Sequence, residues 1–203
     1  MTVKNLIATL VATACAALLA GCATTSPTPG STATVAPYAD TAEFAGRLSV
    51  NYLRSGKQES ISGKFTWRQL AGRTDVALIS PLGQTIATIA VTPGEATLKE
   101  GTNPPRSAAD VDTLSAQVLG WPLPVSGLRD WLQGYAVGAD GKRFAASPAQ
   151  PKVTTRDGWA LEFVAWQDGV TPPKPRRINA SRGPGGDIEN IDLRIAIDEA
   201  AAQ

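Results

Sequence analysis

Val76-Ala77-Leu78-Ile79-Ser80-Pro81-Leu82-Gly83-Gln84-Thr85-Ile86-Ala87-Thr88-Ile89-Ala90-Val91 sets two apolar runs on either side of a short break. The break, Ser80-Pro81-Leu82-Gly83, suits a type I turn: Ser opens it, the proline ring presets φ at the second position, and Gly closes it. The stretch predicts a β-hairpin with Leu82 at its tip. Turn tips ordinarily face water, and keeping a leucine out of water is worth roughly 1.5–3 kcal/mol. Spacing alone leaves two readings. Leu82 folds back onto its own sheet, or it meets an apolar partner outside the protein.

The flanking sequence extends the strand pattern. From Phe44, residues Leu48, Val50 and Tyr52 alternate with Arg47, Ser49 and Asn51; then Ile61, Gly63, Phe65 and Trp67 alternate with Ser62, Lys64, Thr66 and Arg68. A short strand, residues 96–99, follows Pro93-Gly94. Later come Lys152 to Thr155, a turn at Asp157-Gly158, and the alternating run Trp159, Leu161, Phe163 and Ala165. Arg176 to Ser181 is followed by a last strand with Ile191, Leu193, Ile195 and Ile197 on one face. Consecutive strands with tight turns predict an antiparallel meander, apolar on one face and wet on the other.

Helical period occurs only in the middle. Ser107-Ala108-Ala109-Asp110 resembles a capping box ahead of Val111, Leu114 and Val118. Gly120-Trp121-Pro122-Leu123-Pro124 breaks the pattern, and a second short helix runs from Val125 to Leu132 and stops at Gly134. Each helix is apolar on one side, so the pair has something to cover. Trp121 and Trp131 sit where a lid would lie.

The start of the chain indicates its destination. Lys4 precedes an apolar run from Leu6 to Ala20 that is short for a bilayer span. The run ends in Leu19-Ala20-Gly21-Cys22, the form of a bacterial lipobox, so residues 1–21 read as a lipoprotein signal peptide and Cys22 as the lipidation site. Processing leaves no second cysteine for a disulfide. Several acyl chains on Cys22 would anchor the protein stably. Ala23 in place of Asp, by resemblance to enterobacterial lipoproteins, directs it to the outer membrane. Residues 24–37, rich in Thr, Ser, Pro, Ala and Gly, read as a flexible tether. The expected division is residues 22–42 for the lipidated terminus and tether, and 43–203 for one domain with a real core.

Composition removes several classes of function. Lys and Arg total 19 against 18 Asp and Glu, a balance that argues against a nucleic-acid partner. Histidine is absent from the sequence, which removes the commonest general base and metal ligand. No GxSxG, HExxH, CxxC or Walker A pattern occurs. Gly138-Ala139-Asp140-Gly141-Lys142 reads as a turn, and the carboxylates fall mostly on wet strand faces and in turns. The chain reads as a non-enzyme without a cofactor.

With the lipobox, the Ser-Pro-Leu-Gly hairpin and the segment from Leu119-Gly120-Trp121-Pro122-Leu123-Pro124 to Leu128-Arg129-Asp130-Trp131-Leu132-Gln133-Gly134 in hand, the chain resembles the LolB family of outer-membrane lipoprotein receptors and insertases. Gly46-Arg47, Phe65-Thr66-Trp67 and Gly158-Trp159 add to the resemblance, which covers Phe44 to about Ile197. The chain departs from the family's pattern at Tyr135, where small residues or Pro are commoner, and at Ile197-Asp198-Glu199, where an aromatic often closes the last strand.

The resemblance implies a mainly β fold: an incomplete antiparallel β-barrel with a short α-helical lid, enclosing an apolar cavity. It implies a monomer held by its lipid at the outer membrane and facing the periplasm. Such a protein accepts lipoproteins from a LolA-type periplasmic carrier and inserts them into the inner leaflet without nucleotide. Its partners are the carrier, the lipoprotein acyl chains and outer-membrane phospholipids. Pro81, Leu82 and Gly83 match the family's membrane-inserting loop. The expected cavity wall is Phe65, Trp67, Ile86, Ile89, Trp159 and Phe163, closed by Leu123, Leu128, Trp131 and Leu132 of the lid. The rival readings are a lipoprotein that binds free lipid or another small apolar ligand, and an envelope-assembly scaffold that works through a sheet edge.

Overall fold

The computed structural model describes residues 30–120, 123–185 and 188–199. Cys22, the stretch expected to be a signal peptide and Trp121 lie outside them. Five strands come first: β1 (Ala42–Arg54), β2 (Lys57–Leu70), β3 (Arg73–Ile79), β4 (Thr85–Thr92) and β5 (Glu95–Glu100). A short β6 (Arg106–Ala108) leads into helices α1 (Val111–Leu119) and α2 (Val125–Trp131). The hairpin β7 (Tyr135–Val137) and β8 (Arg143–Ala145) precedes β9 (Lys152–Thr154), β10 (Ala160–Trp166), β11 (Pro175–Arg182) and β12 (Ile188–Ile197).

Ten strands form one antiparallel sheet in the order β6-β5-β4-β3-β2-β1-β12-β11-β10-β9. The first and last long strands therefore lie side by side, with Val50 opposite Leu193 and Leu48 opposite Ile195. Period-two alternation sets the faces as expected. Val50, Tyr52, Phe65, Trp67, Leu193 and Ile195 are buried, while Arg47, Lys64, Thr66 and Arg194 are exposed. The sheet curls until strands near both edges feed one core: Ala96 and Leu98 of β5 join the same buried cluster as Leu161 and Phe163 of β10. The edges β6 and β9 do not pair with each other. The barrel is incomplete, and α1 packs on β5 and β6 while α2 packs on α1 and β7.

Local chemistry accounts for the helix ends, with one correction. The cap of α1 is Asp110, whose carboxylate accepts from Thr113 N and from Thr113 Oγ1, each at 2.7 Å. Those bonds hold its pKa below the usual carboxylate range. Ser107, expected to open a capping box, belongs instead to β6, and its hydroxyl pairs with Thr97 Oγ1 at 2.9 Å. Gly120, in the left-handed region at φ 78°, ends α1. Residues 138–142 are the turn of the β7–β8 hairpin, with Gly138 N donating to Lys142 O at 2.8 Å.

The N-terminal segment departs from its expected role as tether. From Ser31 onward it lies bound along the domain: Val35 is buried and its N–H donates to Ala146 O at 3.1 Å. Tyr38 packs edge-on to Tyr135 at 5.8 Å, and the Arg143 guanidinium lies 4.6 Å and 4.5 Å from the two rings. Tyr135, the residue that departs from the family pattern, also donates to Ala36 O at 2.7 Å. Gln69, fully buried at the end of β2, donates to Tyr38 Oη and Ala39 O at 3.0 and 3.1 Å. One valine, one tyrosine and a few backbone bonds make this contact. They leave no periodic signature.

Gly134 is what lets Val35 in. It sits at φ 84°, and a Cβ there would lie 2.5 Å from Val35 Cγ1. Gly134→Ala is expected to lower stability by about 1–3 kcal/mol, from strain and displacement of Val35. Denaturant unfolding of the two proteins measures it.

Candidate functional site

The inner face of the curled sheet meets only the small β7–β8 hairpin at one end, so the short helices must cover the rest. Between them lies a cavity of about 110 Å³. Its floor comes from alternate residues of neighbouring strands: Leu48 and Val50 of β1, Phe65 and Trp67 of β2, Leu193 and Ile195 of β12. Val76, Leu78 and Ile89 wall one side, and Leu123, Val125, Leu128 and Leu132 close the top. Every lining side chain is hydrocarbon except the Trp67 indole. Its Nε1–H is buried and has no hydrogen-bond partner among the described residues.

The lid is a hydrogen-bonded unit. Ser115 Oγ, on α1, donates to Asp112 O at 2.8 Å and accepts from Leu123 N at 3.0 Å. Asp112 in turn accepts from Ser126 N at 3.0 Å and from the Ser126 hydroxyl, tying the start of α2 to α1. Arg54 at the end of β1 donates to Leu119 O at 2.6 Å, which fastens the end of α1 to the sheet.

The structure brings together part of the expected wall. Phe65, Trp67, Ile89, Leu123, Leu128 and Leu132 line the cavity. Ile86 does not. It lies on the outer face of β4, 49% exposed, because residues three apart on a strand point to opposite faces and Ile89 points inward. Trp131, Trp159 and Phe163 are deeply buried but form a separate aromatic group. Trp131 meets Trp159 at 6.0 Å, and Phe163 stacks with Phe144 and Trp166 at 6.5 and 6.1 Å. Wall residues missing from the expectation, such as Val76, Leu78, Leu193 and Ile195, share the inward phase of their strands. Alternation alone could have found them once the first and last strands were known to be neighbours.

The hairpin between β3 and β4 presents the opposite chemistry. Gly83 N donates to Ser80 O at 2.9 Å and Gly83 takes φ 85°. This is a type I turn extended by a left-handed glycine, one of the common three-residue hairpin loops. Pro81, Leu82 and Gly83 form its tip. Leu82 is 89% exposed, so it does not fold back onto its own sheet.

Among the described residues no group of His, Cys, Asp or Glu has the arrangement of a metal site, and no helix is long and apolar enough to cross a membrane. Burial pushes the Asp130 carboxyl on α2 above the usual carboxylate range, against the pull of Arg143 at 3.8 Å and of Arg129.

Leu132→Ala, in the lid, is expected to cost about 2–5 kcal/mol, whereas Ile86→Ala stays within about 0.5 kcal/mol; equilibrium unfolding separates them. The folded chain also holds the Asp130 proton more tightly than the unfolded chain. Stability from that group is therefore present in acid and lost as pH rises through its folded-state pKa. Asp130→Asn removes this loss, so melts from acid to neutral pH are expected to show the variant gaining on the parent.

Comparison with known proteins places these features among relatives. The family model described as "Outer membrane lipoprotein LolB" matches residues 41–199. The chain is 38% identical over 182 residues to the outer-membrane lipoprotein LolB of Cupriavidus necator, covering 89% of this chain and 90% of the relative. It is 36% identical over 210 residues to that of Ralstonia nicotianae, covering 97% of each. Among solved structures it is similar to a LolA superfamily protein from Nitrosomonas europaea, at a TM-score of 0.45 and 7% identity, covering 82% of this chain and 87% of that one.

Proposed function

The chain belongs to the LolB family of outer-membrane lipoproteins, and from that premise we propose that it takes lipoproteins from a LolA-type periplasmic carrier and inserts them into the inner leaflet of the outer membrane. The observation that carries this reading is the cavity walled by hydrocarbon and closed by a two-helix lid. A long acyl chain loses about 0.8 kcal/mol per CH₂ on exposure to water, on the order of 10 kcal/mol in all. Moving one between membranes needs a dry container.

Loading requires the lid to shift. The cavity of about 110 Å³ is smaller than the roughly 150 Å³ that accepts one benzene ring. Helices this short draw their stability from packing rather than from propensity, and the Ser115 and Asp112 bonds let them move together. Outward displacement of α1 and α2 would expose Leu48, Phe65, Trp67 and Leu193 to the incoming chains. Transfer then runs down an affinity gradient, each 1.4 kcal/mol or so giving a tenfold bias, without nucleotide and without a catalytic step.

Leu82 supplies the other end of the path. Its side chain enters the leaflet and couples release to insertion, with Pro81 and Gly83 fixing the turn. The anchor is the lipid on Cys22 following removal of residues 1–21, and the segment up to residue 30 gives the periplasm-facing domain its reach. The protein acts as a monomer.

The test is reconstitution: a LolA-type carrier loaded with labelled lipoprotein, this protein, and liposomes. Leu82→Glu is expected to keep lipoprotein binding and to lose nearly all delivery of label to the liposomes. Normal delivery by that variant would falsify the role of the loop.

A further inference from the structure

The outer face of the sheet carries a feature that the cavity does not use. Register places Ile79, Lys64, Arg47, Ala196 and Arg177 in one row across β3, β2, β1, β12 and β11. Lys64 and Arg47 are directly opposite each other, an arrangement that destabilises a sheet. Arg194 lies in the next row, opposite Ser49 and Asn179. All four cations are exposed, and none has a carboxylate partner among the described residues. The nearest acids on this face are otherwise placed. Glu162, in the row of Asn179 and Arg194, pairs with Lys152 at 3.1 Å; Asp192 is one row further on, level with Asn51 and Ser181; and Asp198, whose N–H donates to Ala45 O at 2.8 Å, is one row beyond Ala196 on the other side.

Strand spacing of about 4.8 Å puts Lys64 and Arg177 on the order of 14 Å apart, with Arg47 between them. Lys64 and Arg47, one strand spacing apart, are within a Debye length of about 8 Å at physiological salt, and Arg177, two spacings or roughly 10 Å from Arg47, lies just beyond one. With 19 basic and 18 acidic residues in the sequence, this concentration of positive charge is local and not a reflection of net charge.

The four cations surround a hollow of about 430 Å³, and Pro81 lines the same hollow. The hairpin thus leans toward the cationic row, with Leu82 next in sequence to Pro81. Ile86, 49% exposed, and Ile79 add apolar surface to the same face beside the loop. Cations bordered by an exposed apolar tip match an interface between lipid headgroups and acyl chains, where a basic patch and an inserted apolar group act together. An acidic protein surface would satisfy the charge but leave Leu82 in water.

We propose that the hollow formed by Arg47, Lys64, Arg177, Arg194 and Pro81 binds the phosphate groups of anionic phospholipids, seating the outer face of the sheet on the leaflet that Leu82 enters. This rests on the reading of Leu82 as the membrane-entering residue and adds the surface that orients it.

The experiment uses the mature chain, residues 22–203, with Cys22→Ser so that no acyl anchor masks the contact. Co-sedimentation is measured with vesicles of phosphatidylethanolamine alone and of phosphatidylethanolamine mixed with phosphatidylglycerol. The parent is expected to bind the mixed vesicles more tightly, and added salt to erase the difference. Adding Arg47→Ser and Arg177→Ser is expected to weaken binding to the mixed vesicles on the order of 25-fold, about fivefold per cation. Binding to the neutral vesicles stays unchanged, and the thermal midpoint does not fall, since the substitution relieves the Lys64–Arg47 repulsion. The pair Lys64→Gln and Arg194→Gln gives a second, independent loss, and Arg47→Lys with Arg177→Lys restores binding. If the charge-removed variants bind mixed vesicles like the parent, the inference is overturned while the role of Leu82 stands. It is equally overturned if they bind vesicles normally yet lose transfer from a LolA-type carrier, since the row then faces an acidic protein. If Leu82→Glu leaves binding to both vesicle types unchanged, the reading of the loop itself fails.

Discussion

The structure depends on one requirement: a ten-stranded sheet with a single apolar face must keep that face dry, and the second sheet, the two-stranded β7–β8 hairpin, is too small to cover it. Curling brings strands from both halves of the sheet around a common interior, so Ala96 and Leu98 share a core with Leu161 and Phe163. Two helices of nine and seven residues cover the rest. They are too short to fill the space completely. What remains is a cavity without polar lining apart from one indole, a consequence of the architecture rather than a defect in packing.

The same economy explains why one end of the domain is densely packed and the other keeps a cavity under its lid. Around β7 to β10 the interior is filled by rings, with Trp131 on Trp159 and Phe163 between Phe144 and Trp166. Large flat side chains lock into one arrangement there, and the bound N-terminal segment braces the adjoining surface through Val35 and Tyr38. Over β1, β2 and β12 the contacts are instead aliphatic and the cover is a pair of helices held by a few hydrogen bonds. That cover is the part that the proposed loading step would displace, leaving the ring-packed half in place.

Polarity is distributed with the same asymmetry. Arg73 pairs with Asp75, Glu43 with Arg68, and Glu162 with Lys152, so most of the strand surface is locally balanced. The cationic row next to the hairpin has no such partners among the described residues. There the chain also exposes a leucine whose burial would be worth roughly 1.5–3 kcal/mol. Two locally unfavourable choices at one corner are consistent with a surface shaped for contact with a membrane.

The sequence by itself determined the long strands, the two helices and, for most of these strands, the inward face; the three-residue strands β6, β7 and β8 are too short to leave a period. Alternation in Leu48 to Tyr52, in Ile61 to Trp67 and in Ile191 to Ile197 was enough to say which side chains point inward, because a strand repeats every two residues. The helix starting at Val111 and the hairpin carrying Leu82 were legible for similarly local reasons. Only the tertiary structure decided which inward residues meet. Pairing of β1 with β12 brings Leu193 and Ile195 to Leu48 and Val50 across more than a hundred residues, and nothing local encodes that partner. It also decided that Trp159 and Phe163 serve the packed half and not the cavity, that Ile86 faces out, and that residues 31–39 are bound to the domain. A side chain's phase along a strand is fixed by backbone geometry within a few residues, but its neighbours are fixed by how the whole sheet curls.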